Sequence, residues 1–276
     1  MKIGSEAHKQ LFCGAFVDHH RPYEPAQLRW PVLDDDALAL LRGLPFWTHA
    51  LQAEEDAGPM ITACAALEPD ATVRRALELQ AFEEARHARI IRHMIAIYGL
   101  HADEIRVEMP ADVLDAFIDF GFEECLDSFG AFGLFKLARQ HLTVPAPLFD
   151  IFDRVMQEEA AHIVFFLNWF AYRQANRGAV ASAARHVKAL RHYVRALRKL
   201  AGLAFSNDDS GDGKDFIVSG ADAFVDNLTP AAVLAACLEE NTRRLAGFDR
   251  RLLVPQLAPR LARLALVVLN RLPRRG

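Results

Sequence analysis

Between residues 46 and 177 the apolar residues recur with a period near 3.6 in four long runs, 47–67, 71–98, 111–140 and 147–177. Each run ends at a stop signal: the Glu-Pro-Asp of residues 68–70, the segment 99–110 with a glycine and a proline at its ends, the stretch closing on Pro145, and Gly178. Four helices of this length, each with an apolar stripe, hide those stripes most simply against one another. The expected fold is therefore all-α, a four-helix bundle over 46–178. Residues 1–45 are rich in proline, aromatics and aspartate, which predicts an irregular N-terminal arm packed on the bundle, with a short helix near "DDDALALLRGL". Residues 179–276 add further helices to the same domain: a basic helix over 180–204 and a last helical region over 230–276. Between them, 206–229 is predicted to be a mobile loop. Its "SNDDSGDGKD" has the composition of a calcium loop without acids and glycine at the required positions.

Two of the four runs carry an acidic pair followed by histidine, "EEARH" at 83–87 and "EEAAH" at 158–162. Glu-x-x-His alone is common, but on a helix the residues i and i+3 share a face, so Glu84 with His87 and Glu159 with His162 can address one point. Ala81, Ala88 and Ile91 surround the first pair, and Val155, Met156, Ile163 and Phe166 the second, so both point into the core. Buried carboxylates are costly unless paired or bound to metal. The other two runs each supply an acidic pair at matching depth. On the first, Glu54 shares its stripe with Leu51, Ala57 and Ile61 and is preferred to Glu55; on the third, Glu124 lies with Phe117, Phe120 and Gly121 and is preferred to Glu123. At about 1.5 Å of rise per residue, antiparallel hairpins bring Glu54 level with Glu84 and Glu124 within about one turn of Glu159. One Glu from each of two helices and a Glu-x-x-His from each of the others describes a dinuclear carboxylate site.

On these residues, 46–177 resembles the ferritin-like diiron-carboxylate superfamily. The resemblance implies metal ligation by Glu54, Glu84, His87, Glu124, Glu159 and His162, with two iron ions, or manganese or a Mn/Fe pair in their place. It also implies that Glu83 and Glu158 hydrogen-bond the histidine of the opposite motif, with Arg86 beside them; Ala161 stands where many oxygenase relatives have arginine. No catalytic residue is assigned beyond the ligands. The implied activity is that of a non-haem diiron oxidoreductase, an oxygen-dependent oxidase or monooxygenase on a small, largely apolar organic substrate, drawing electrons from a ferredoxin or reductase. A ferroxidase or peroxide-scavenging role is the alternative reading.

Two features narrow the surroundings. Rubrerythrin-like peroxidases usually add a cysteine-ligated iron domain, and here Cys13, Cys64, Cys125 and Cys237 are scattered without a C-x-x-C, which also argues against a disulfide framework. Neither Tyr23, Tyr98, Tyr172 nor Tyr193 lies within a helical turn of an expected ligand, which argues against a stable tyrosyl radical, and His20 is expected to be surface or structural. The net charge of −4 gives no case for nucleic acid, the scattered cysteines predict a reducing cytoplasm, and the absence of a long apolar run predicts a soluble chain. The C-terminal third is nevertheless basic: 184–200 has Arg185, Lys188, Arg191, Arg195, Arg198 and Lys199 and no acid. That surface is expected to be either an ordinary solvated face or a dock for an acidic protein or an anionic membrane, and a homodimer is compatible with the pattern. A connection of residues 100–110, about 36 Å fully extended, falls just short of the ~38 Å it must travel if the second and third helices run parallel, so the helix ends fray, the crossover is strained, or the bundle is a plain up-down one.

Overall fold

The computed structural model describes residues 1–178, 184–205 and 229–271. Among the described residues all regular structure is helical: α1 (Glu6–His19), a 3-10 turn (Pro25–Gln27), α2 (Asp35–Gly43), α3 (Trp47–Ala66), α4 (Ala71–Tyr98), α5 (Val113–His141), α6 (Ala146–Asn176), α7 (Arg185–Phe205), α8 (Pro230–Leu245) and α9 (Leu257–Leu269). No described helix is long and apolar enough to cross a membrane. The four cysteines are buried and free.

Helix ends follow local chemistry. Asp70 accepts hydrogen bonds from the Thr72 and Val73 amides at the start of α4, and Asp112 does the same for Asp115 on α5. Gly99 ends α4 in the left-handed region at φ 59°, which a side chain would disfavour.

α3 to α6 share one core. Arg42 donates to the Tyr98 carbonyl at 3.0 Å, and Trp47, Met94 and Leu148 pack in one cluster, so α3 and α6 begin where α4 ends. At the other end Arg173 of α6 holds Glu68, just past α3, at 3.0 Å. Phe117, near the start of α5, stacks edge-on against Trp169, near the end of α6. Hence α3 and α6 run one way, and α4 and α5 the other. The α4–α5 connection does travel the bundle, and the structure corrects its expected length. It comprises residues 99–112 and climbs the outside of α3, where Thr48 accepts from the Asp103 amide and Gln52 donates to the Arg106 carbonyl, both at 2.9 Å. At up to about 3.6 Å per residue it reaches about 50 Å without strain.

The N-terminal arm is not irregular throughout, as its composition predicts. α1 lays Phe12 and Phe16 into the core; His8 of this helix bonds Asn168 of α6 at 3.0 Å, and Lys9 reaches Asp70 at 2.5 Å. Helix α2 falls where expected. The region 230–276 is likewise corrected: α8 and α9 are separate helices with a turn around Pro255 between them. The buried Arg244 of α8 ties it to α6 through Asp153 at 2.6 Å. The segment 206–228 predicted to be a mobile loop lies outside the described residues, while Thr229 caps α8.

Candidate metal centre

The two acidic-pair motifs sit on α4 and α6, and their inward residues meet between the helices. Glu54, Glu84, His87 and Glu159 each bring one ligand atom to within 4.8 Å of the others, a group that could hold a metal ion. His162 faces the same carboxylates, its Nδ1 3.1 Å from Glu84 and 3.4 Å from Glu159. Glu84 and Glu159 are thereby shared. Each turns one oxygen to His87, at 3.6 and 3.0 Å, and the other to His162. Glu54 completes the His87 side, 3.5 Å from its Nδ1, and Glu124 of α5 lies against Glu159 and Glu84. All six expected ligands converge.

The two open choices of acid separate in the structure. Glu55 pairs with Arg92 on the outer face of α3–α4, whereas Glu54 lines the interior cavity. Glu124, and not Glu123, lines the same cavity.

Behind the cluster the residues interlock crosswise. His87 Nε2 bonds Glu158 at 2.8 Å, and His162 Nε2 bonds Glu83 at 2.9 Å, so each motif's first acid holds the other motif's histidine. Arg86 lies between these acids, 2.8 Å from Glu158 and 3.5 Å from Glu83. With alanine at 161, no second guanidinium serves Glu83 among the described residues, and Arg86 approaches its Oε1 only at 3.5 Å. That oxygen is instead met by His20 Nδ1 at 2.6 Å, and Tyr23 donates to Glu158 at 2.9 Å with its ring 4.0 Å from the Arg86 guanidinium. Both belong to the segment after α1, and both depart from the expectation that they stand apart from the site. Their contacts span 63 and 135 residues, so helical periodicity carries no sign of them. The only sequence cue was a His-Tyr pairing in a proline-rich arm.

Electrostatics show what the cluster lacks. When each histidine donates its Nε2 proton to an acid, its Nδ1 turns a lone pair toward carboxylates, and both Nδ1 atoms and Glu159 Oε2 are buried without a hydrogen-bond partner. Only a cation or extra protons can make that arrangement favourable. In the protein without metal, protons serve. Burial pushes Glu54 up to about 8 against the pull of His87. Burial and the charges of Glu159 and Glu84 push Glu124 well above the carboxylate range. Burial opposes charging of His87 and His162, but the surrounding carboxylates raise both well above the usual histidine value. Glu83 moves the opposite way, down to about 2, because hydrogen bonds from His162 and His20 outweigh its burial. Carboxylates and imidazoles with fixed outer nitrogens make a donor set that could hold a metal ion.

From this cluster a cavity of about 280 Å³ runs toward the end of the bundle where α3 begins. Its wall changes from Glu54, Glu124 and Glu159 to Ile91, Met94, Leu134, Leu148 and Leu41. Glu159 and Leu148 are about 16 Å apart along α6 at 1.5 Å per residue. Of the lining residues His49 and Ala53, one turn apart on α3, are exposed; His49 lies near the start of α3 at the level of Leu148 and Ala53 lies next to Glu54, so the cavity opens along this face of α3. In comparisons with known proteins, no family model, no curated protein and no solved structure matches the chain.

Proposed function

We propose that this chain is a non-haem diiron oxidoreductase with a ferritin-like bundle, which activates O2 and oxidises an apolar organic substrate with electrons from an external donor. The observation that carries the reading is the crosswise cluster at the head of an apolar cavity. Glu54, Glu84, His87, Glu124, Glu159 and His162 would hold two iron ions. When bound there, ferrous iron would supply redox chemistry toward O2. The chain's own residues do the rest. Glu83 and Glu158 fix the histidine tautomers and ring orientations, Arg86 offsets the charge of both acids, and the aliphatic wall excludes water and orients the substrate.

Cavity shape narrows the substrate. Tetrahedral carbons about 1.5 Å apart advance about 1.25 Å per bond, so a 16 Å depth seats an unbranched chain of about 12 carbons. Such a chain would span the cavity between the carboxylates and Leu41, Leu44 and Leu148, with the carbons of one end beside Glu54, Glu124 and Glu159. Iron storage needs no such cavity, which is why substrate oxidation is favoured over a ferroxidase or peroxide-scavenging role. The test is Fe(II) loading without oxygen followed by O2 uptake in the presence of alkanols, aldehydes, fatty acids or amines of graded length. A length-dependent oxidised product supports the reading. Iron oxidation indifferent to every chain would assign the site to iron handling, and failure to bind iron or manganese would remove both readings.

A further inference from the structure

Among the described residues, half of the large apolar side chains that are exposed lie on two helices outside the bundle core. On α7 they are Val187, Leu190, Val194 and Leu197, spaced three, four and three residues apart, which is one stripe of a helix. On α9 they are Leu261, Leu264, Val267 and Val268. Exposure runs from 37% at Val194 to 71% at Val187 on α7 and from 44% at Leu261 to 65% at Leu264 on α9. The flanking charges are all of one sign. Exposed Arg191 and Arg198 border the first stripe, and Arg260, Arg263 and Arg271 the second; residues 184–205 and 257–271 contain no acid.

The two helices face the same way. α7 is fastened to α5 by Arg195 on Asp119 at 2.8 Å and by His192 on the same carboxylate at 2.6 Å, with His192 also stacked on Phe122. α9 inserts Ala262 beside Phe129 of α5. Asp115, Asp119, Phe122 and Phe129 recur at intervals of four, three and seven, so they form one face of α5. Both helices therefore cover the same side of the bundle, and their outer stripes point away from it.

We infer that this side is a docking surface for an anionic lipid bilayer, with α7 and α9 lying in the interface. Amphipathic helices with arginine beside an aliphatic stripe bind there by burying the stripe at the acyl boundary while the guanidiniums meet lipid phosphates. Charge decides between occupants. A second copy brought stripe to stripe by a twofold axis would set arginines against arginines. An acidic protein would satisfy the charge, but single helices present ridges without a pocket, and the exposed stripes carry no tryptophan or tyrosine of the kind that anchors protein interfaces. A bilayer accepts a ridge and supplies the counter-charge. This inference stands whether or not the metal reading does, although a membrane is also where apolar chains accumulate.

The experiment is co-sedimentation of the full chain with vesicles of phosphatidylcholine alone and of phosphatidylcholine mixed with phosphatidylglycerol. Three proteins are compared: wild type, Arg191→Glu/Arg198→Glu, and Leu190→Ser/Leu264→Ser. All four side chains are exposed, so folding is preserved, and circular dichroism checks it. Wild type should pellet with the anionic vesicles and not with phosphatidylcholine alone. Both variants should bind at least tenfold more weakly, and raising salt should release wild type. Absence of binding to anionic vesicles, or binding unchanged in both variants, overturns the inference. So does a concentration-dependent dimer in solution that the leucine variant dissociates, which would give the face to a second copy.

Discussion

Tyr23 donates its hydroxyl at 2.9 Å to the same Glu158 oxygen that takes the His87 Nε2 proton at 2.8 Å. A residue of the N-terminal segment is thus two hydrogen bonds from the centre of the bundle, and Arg86 lies over its ring. Burial, with the Glu158 charge, raises the phenol well above its usual range, so it acts as a donor and not as a phenolate. Tyr23→Phe keeps the packing and removes that donor. Outer groups of this kind change metal affinity by about 10- to 100-fold. Affinity for Fe(II) or Mn(II), read by chelator competition, should fall by about tenfold while the helical content stays constant. An unchanged affinity would make Tyr23 a packing residue only.

Removing ligands should distinguish neighbours in the chain. Glu54 faces His87, while Glu55, next to it, pairs with Arg92 at the surface. Wild type is expected to bind about two metal ions per chain. Glu54→Ala and His162→Ala should each lower that stoichiometry, and Glu55→Ala should leave it alone. Glu84→Ala removes an acid placed between both histidines, so it should impair both positions. Elemental analysis after gel filtration checks all four.

How far was this legible in the sequence? The bundle and its six inward residues follow from periodicity, because a helix repeats its faces and Glu84 and His87 must share one. Depth followed from the rise per residue. What periodicity cannot carry is contact between elements with no common repeat. His20 and Tyr23 reach Glu83 and Glu158 because α1 packs on α6, and α1 itself is hard to see: it buries His8 and Lys9 along with Phe12 and Phe16, which blurs its polar and apolar faces. The split of 230–276 into α8 and α9 was signalled by Pro255 and Pro259, which the surrounding leucine and arginine pattern obscured.

The protonated, metal-free cluster has a defined pH signature. Folding raises Glu54 to about 8 from the ordinary carboxylate value and raises Glu124, His87 and His162 as well. The folded state then binds more protons than the unfolded state above about pH 4.5, so these groups stabilise at low pH and that contribution is lost as pH rises toward 8 and beyond. The lowered Glu84 and Glu159 act in the opposite sense, losing their contribution as pH falls through the acid range. Metal-free protein should therefore become less stable in urea between about pH 6 and 8. Metal expels the same protons, so affinity should increase over that interval and the loss of stability should vanish in the loaded protein. A flat profile without metal would contradict the assignment of these protons.

Close approach of α5 and α6 rests on one missing side chain. A Cβ at Gly121 would lie 2.3 Å from the Phe166 ring, which itself packs among Phe117, Phe122 and Trp169. Gly121→Ala should cost about 1–3 kcal/mol by forcing that ring out of place, more than the alanine gains in helix propensity. Because Glu124 is one turn along α5, metal occupancy should also fall. Chemical denaturation and elemental analysis on one preparation check both.

The far wall of the cavity can be moved without touching the cluster. Ala138 lines it on α5, about 21 Å from Glu124 at the helical rise, with Phe135 and Leu142 of the same lining about one turn away. Ala138→Leu adds three carbons at this end, and a leucine on a helix leans back toward the helix N-terminus, here toward the level at which the tail of a bound chain would end. If the substrate lies tail inward, the preferred chain should shorten by about two or three carbons, since each further methylene would lose its favourable burial of about 0.8 kcal/mol and meet a clash. Metal content should not change, because no ligand is within several turns. The measurement is the product yield across the graded series for wild type and variant, with metal content on the same samples. A uniform loss at every length would place the tail elsewhere, and an unchanged preference would mean that the chain does not reach this wall.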